Sequence, residues 1–161
     1  MAQTAEQDRI APAESADVGP LALLLARFSN GVDRKKPKAI AALFADGAVF
    51  QPADKPIVGP EAVEAFYDGR MTDERRRTRH VWSNLMVRPL PDGRAEYEAI
   101  LTNYAFEPTV SEELLQVRVG NVWGVCTAGG PTDWRFETHF YERVYAAAMP
   151  LTAEPLPLKK D

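Results

Sequence analysis

The chain has 161 residues, 45% of them hydrophobic, enough for one domain that buries about two-thirds of its unfolded surface. Lys and Arg number 19 against 23 Asp and Glu, and the resulting charge of −4 gives no electrostatic reason to expect a nucleic-acid backbone as partner. Apolar runs such as Leu21 to Ala26 are far shorter than the roughly 20 residues of a membrane-spanning helix, and the N-terminus lacks the basic start and apolar centre of a secretory signal. The expectation is a cytoplasmic protein with neither a membrane nor a nucleic-acid partner. Cys126 is the only cysteine, which excludes an internal disulfide, fits a reducing compartment and reads as a small packing residue.

In chain order, residues 1–16 show no apolar period and read as a tail. Leu21, Leu24, Leu25, Phe28 and Val32 then recur at helical spacing, with Asp17 as a cap and Pro20 in the first turn. The stretch Pro37 to Ala45 repeats the pattern through Ile40, Leu43 and Phe44. Asp46-Gly47 breaks it, and Ala48 to Gln51 reads as a short strand. Gly59-Pro60 opens a third helix in which Val63, Phe66 and Tyr67 share a face and which frays near Met71.

The second half is extended: His80 to Leu90, Ala95 to Phe106, Val117 to Thr127 and Trp134 to Tyr145 are rich in β-branched and aromatic residues. Pro91-Asp92-Gly93 and Gly129-Gly130-Pro131 mark tight turns between them. Strands about twice the usual five or six residues make a sheet that curls and needs filling. The expected fold is therefore α+β: a curved antiparallel sheet, a cone-shaped α+β barrel with three helices packed on its concave face, spanning 17–148. Residues 149–161, with Pro150, Pro155 and Pro157, read as a Pro-rich C-terminal tail.

Three phrases carry chemistry. Phe28 to Asp46, "FSNGVDRKKPKAIAALFAD", places Asp33 at the end of the first helix; Thr78-Arg79-His80-Val81-Trp82-Ser83-Asn84 opens the second strand; Trp134-Arg135-Phe136 enters the last one. In these phrases and in the order of its elements the chain resembles the nuclear transport factor 2-like superfamily, in its SnoaL-like polyketide cyclase and scytalone dehydratase branch. That resemblance implies a cone-shaped cavity into which Asp33 and His80 both point, proton-transfer chemistry without a cofactor, and a homodimer joined through the outer sheet face. Val32 stands where the dehydratase has a tyrosine, and the strand Ala95 to Phe106 has no second histidine, offering only Asn103 and Tyr97 as polar groups. These departures set the chain apart from the dehydratase itself.

His80 is suited to take a proton and return it, and a carboxylate such as Asp33 orients the ring and stabilises its charged form. The plainer alternatives are a solvated strand-end histidine and an aspartate that caps the next helix or pairs with Arg34, Lys35 and Lys36. Phe50, Tyr67, Trp82, Asn84, Tyr97, Asn103 and Trp123 are the candidate ligand-binding residues, the aromatic ones as stacking surfaces. His139 alternates with Phe136, Thr138 and Phe140 and is expected on the outer face with Arg135, Glu137, Tyr141 and Arg143. Arg75, Arg76, Arg77 and Arg79 form a basic cluster that reads as a solvated loop or, alternatively, as a rim for an anionic ligand. With two histidines, one cysteine and no phosphate-binding glycine loop, neither a metal nor a nucleotide cofactor is expected.

Two functions compete on these residues. One is a lyase or isomerase acting on a small apolar substrate, cyclic or open-chain, through Asp33 and His80. The other is a non-catalytic ligand-binding or dimerisation module on the same fold.

Overall fold

The computed structural model describes residues 17–130, 132–153 and 155, so the expected tail at 1–16 and most of the C-terminal one lie outside the described residues. Helix α1 (Gly19–Asp33) buries Leu21, Leu24, Leu25, Phe28 and Val32, the face its period predicts. Helix α2 (Pro37–Ala41) is shorter than its pattern suggested. Leu43 and Phe44 leave it because Phe44 begins strand β1 (Phe44–Gln51), and the Leu43 carbonyl accepts the Phe136 N–H at 2.9 Å. A two-residue strand β2 (Ile57–Val58) that local pattern did not signal pairs back on β1. Helix α3 (Pro60–Arg70) starts after Gly59, whose φ of 85° suits glycine, and ends at Met71.

Four long strands follow: β3 (Arg77–Pro89), β4 (Ala95–Phe106), β5 (Leu114–Ala128) and β6 (Trp134–Pro150). They form the expected antiparallel meander within a six-stranded sheet of order β2-β1-β6-β5-β4-β3. The sheet is mixed rather than antiparallel throughout, because β1 runs parallel to β6. It is curved and unclosed, with the helices on its concave face. Strand β6 also outruns the expected boundary at 148: Met149 and Pro150 pair with Leu115 and Leu114, and the Leu151 N–H donates to the Glu113 carbonyl at 2.8 Å.

Bulges decide which side chains face inward. On β4 the alternation is unbroken, and Ala95, Tyr97, Ala99, Leu101, Asn103 and Ala105 are all buried. On β6, Cys126 pairs with Phe136 and Val125 with Thr138, so Glu137 is an extra residue. A single inserted residue sends every later side chain to the opposite face. His139 and Tyr141 therefore turn inward, which corrects the expectation of an outer-face His139: it is 2% exposed. Val144 is a second extra residue. On β3 the register shifts between Ser83 and Met86, where Asn84 takes a φ of 53°, so inward residues change from Thr78, His80 and Trp82 to Val87.

The core is a nest of rings centred on Phe28. Its ring lies 5.7 Å from Phe136, 6.1 Å from Phe50 and Tyr67, and 4.8 Å from His139, mostly edge to face. Such pairs contribute about 0.5–1.5 kcal/mol each beyond area burial and fix ring orientation, so the helical lid has a defined seat on the sheet. Among the described residues no helix is long and apolar enough to cross a membrane.

Candidate active site

Asp33 is the last residue of α1, and the turn after it is pinned by the Lys35 ammonium on the Asp73 carbonyl at 2.6 Å. The carboxylate bonds to β3. Its Oδ1 accepts the Thr78 hydroxyl at 2.8 Å and meets His80 Nδ1 at 2.6 Å; its Oδ2 accepts the His80 backbone N–H at 3.0 Å. Helix α2 is capped at Lys36 with no side-chain bond, so Asp33 is not its cap. A carboxylate at a helix C-terminus lies at the negative end of the dipole, and these three donors on one strand offset that cost.

The arrangement fixes the tautomer of His80. A carboxylate can only accept, so Nδ1 carries the proton and Nε2 is left with its lone pair. Asn103, directly across from His80 on β4, donates its amide N–H to Nε2. Asn103 Oδ1 is then buried with no partner, the one such side-chain atom among the described residues. An unfilled buried acceptor is costly unless something occupies it.

His80 and Asn103 line a cavity of about 740 Å³ beneath the helices, within the range of small-molecule sites. Phe28 and Val32 of α1, Phe66 and Tyr67 of α3, and Phe50 and Leu101 of the sheet supply its apolar wall. Burial pushes the Tyr67 phenol above its ordinary range, so it stays neutral. His139 joins the wall with Nδ1 hydrogen-bonded to the Tyr97 hydroxyl, and burial lowers it to about 3, so it too is neutral near pH 7.

Of the seven candidate ligand-binding residues, Phe50, Tyr67 and Asn103 line this cavity. Trp123 borders it, but its register with Phe140 puts the indole against that ring at 5.7 Å, on the face opposite Val122. Trp82 donates its indole N–H to Ser29 of α1, and with Asn84 it borders a second depression, of about 520 Å³, between α1 and β3. Asn84 serves the bulge and is exposed. Tyr97 sits behind His139, off the cavity wall. Sequence reading missed His139 and Tyr141 because of the bulge. It missed Arg118 because one cation on a strand carries no signal until its phase with Gly120, Val122 and Gly124 is noticed. Among the described residues, no group of three or more His, Cys, Asp or Glu is placed to hold a metal ion.

Residues 13–145 match the SnoaL-like domain family. The chain belongs to this family. Solved structures agree on the fold of this SnoaL-like domain. A scytalone dehydratase candidate from Novosphingobium aromaticivorans superposes with a TM-score of 0.71 at 17% identity, covering 88% of this chain and 93% of that one. A hexachlorocyclohexane dehydrochlorinase, LinA type 2, gives 0.70 at 14% identity, covering 86% and 91%. Aln2 from a Streptomyces species gives 0.65 at 21% identity, covering 77% and 88%. At such identities the likeness is one of fold, the nuclear transport factor 2-like α+β architecture. A search of curated proteins finds no match.

Proposed function

We propose that this SnoaL-like domain is a small cofactor-independent enzyme, a lyase or isomerase, that moves a proton on a small, largely apolar cyclic substrate. The observation that carries the reading is His80, its Nδ1–H held by Asp33 and its side chain among those lining a cavity of small-molecule size. Asn103 releases its amide N–H from His80 Nε2 as the substrate enters; Nε2 then takes a proton from a carbon next to an electron-withdrawing group, and Asp33 stabilises the resulting imidazolium. Returning that proton to another atom is an isomerisation; loss of a leaving group from the adjacent carbon is an elimination. Two of the structural neighbours are named for eliminations, dehydration and dehydrochlorination, which supports the lyase branch. Deuterium exchange into cyclic ketones, followed by NMR in heavy water, tests proton abstraction without knowledge of the natural substrate. Wild type is expected to catalyse exchange and His80→Asn to reduce it at least 100-fold. Binding of the same ketones without any exchange overturns the enzyme reading in favour of a ligand-binding module.

We further propose a homodimer through the convex sheet face. Val81, Thr102, Val119 and Tyr145 lie side by side across β3 to β6, and Val81 and Tyr145 are 52% and 61% exposed. Exposed apolar residues grouped across a sheet are a surface that a second copy covers. Sedimentation equilibrium at micromolar concentration is expected to give the dimer mass; a monomer only overturns this.

A further inference from the structure

The arginines of the 75–79 run part company in the fold. Arg75 pairs with Glu112 at 2.7 Å on the surface and Arg79 is exposed, whereas Arg76 turns inward and lines the cavity. There it joins Arg70, from the end of α3, and Arg118, from β5. Glu107, just past β4, accepts Arg76 Nε at 3.1 Å on one oxygen and Arg118 Nη2 on the other. This carboxylate and Arg76 are largely enclosed, with side chains 11% and 14% exposed. Arg70 lies over the Phe66 ring at 5.5 Å and has no carboxylate partner among the described residues.

Arg76 and Arg118 therefore share one carboxylate, and Arg70 is exposed. Arg143, Asp54 and Glu142 also border the cavity and are exposed as well. Four arginines against three carboxylates leave a surplus of one positive charge at the cavity, in a chain whose total is −4. Loss of hydration, and then Arg76, hold Arg70 below its ordinary value, as expected where cations crowd. Burial pushes Glu107 up, but its bonds and attraction to Arg118 and Arg76 outweigh that and hold it below the usual carboxylate range. The cluster thus keeps its composition, and its surplus, across the neutral range.

The register relates this cluster to His80. His80, Asn103 and Arg118 sit side by side on β3, β4 and β5, so at about 4.8 Å per strand the backbones of His80 and Arg118 are about 10 Å apart. Between them lie Leu101 and Asn103, whose Oδ1 lacks a partner, with Phe28 and Phe50 also on the cavity wall. The geometry points to a cyclic carboxylic acid as the ligand: its carboxylate held by Arg70, Arg76 and Arg118, and its ring against Phe50 and Leu101. Guanidinium forks match a carboxylate with two parallel bonds, and a net positive, partly enclosed cluster favours an anion over a neutral polar group. The placing of the ring's reacting carbon at His80 Nε2 rests on the proton-transfer reading above; the anion subsite does not.

Titration calorimetry with 2-naphthoate and its neutral isostere 2-naphthamide tests the subsite. Wild type is expected to prefer the acid at least 10-fold, a preference that weakens with salt. Arg70→Gln is expected to remove most of that preference. Because Arg118→Gln alone leaves Glu107 short of a partner and risks the fold, the charge reversal Arg70→Glu, at an exposed position, serves as the second test and is expected to abolish the preference. His80→Asn is expected to keep the preference. Equal affinity for acid and amide, or a preference unchanged in both arginine variants, overturns the subsite. If naphthoate preference holds while ketone exchange is absent, the subsite stands and the proton-transfer reading falls; exchange without charge preference is the reverse.

Discussion

Asp33→Asn is expected to lower ketone exchange by about 100- to 1000-fold with the fold intact. The substitution keeps the side-chain shape and, at the Oδ2 position, an acceptor for the His80 backbone N–H; the amide nitrogen then takes the Oδ1 position, where the Thr78 hydroxyl rotates to accept from it. What it takes away is a partner that can only accept. An amide N–H turned toward the ring makes Nδ1 the acceptor, the ring proton moves to Nε2, and the atom facing the cavity is no longer a base. The carboxylate's stabilisation of the imidazolium disappears as well. Thr78→Val removes one of the bonds that hold Asp33 but leaves the ring bond, so its loss is expected to be about 10-fold or less. Near-ultraviolet circular dichroism checks that both variants retain the aromatic nest. An Asp33→Asn protein with more than a tenth of wild-type exchange shows that Asp33 does not orient the base.

The parts of the site that the sequence carried are those tied to local signals. Asp33 closes a helix whose end its apolar period marks, and His80 opens a strand, so both are placed by periodicity and a short phrase although 47 positions separate them. The helices and the meander were readable for the same reason. What failed depends on distant pairing. Leu43 and Phe44 continue a helical pattern, yet backbone pairing with β6 draws Phe44 into a strand. The parallel join of β1 and β6, which makes the sheet mixed, has no local signature at all. Glu137 reads as one more polar residue in an alternating strand. Its bulge is set by the partner strand and by Arg94, which reaches it at 3.0 Å. That one residue moves His139 from the outer face to the cavity wall. The cation cluster was hidden for a related reason: Arg70, Arg76, Arg118 and Glu107 come from four places in the chain, and only Arg76 sat in a run that drew notice.

Acid is expected to unfold this protein through His139. In the fold, burial lowers this imidazole to about 3, against about 6.5 in an unfolded chain. The neutral ring is the form that fits: it lies 4.6 Å from Phe136 and 4.8 Å from Phe28, and its hydrogen-bond partner, the Tyr97 hydroxyl, cannot compensate a positive charge. Between about pH 6.5 and 3 the unfolded chain binds a proton that the folded one does not. Stability due to this site is therefore complete above pH 6.5 and is lost as pH falls, by as much as about 5 kcal/mol over the whole window, a large share of a typical domain's stability. Glu107, held below the usual carboxylate range, acts in the same direction at the lower end, so the clearest interval is pH 4.5–6. His139→Gln keeps a polar partner for Tyr97 and does not titrate. Urea unfolding at several pH values is expected to show a wild-type stability slope steeper than that of His139→Gln by one proton, about 1.4 kcal/mol per pH unit. The variant is less stable at pH 7 because glutamine fills the ring nest poorly, but it loses less on acidification. Parallel slopes would mean that His139 takes up its proton in the folded state, and that the aromatic nest opens to water far more readily than its packing implies.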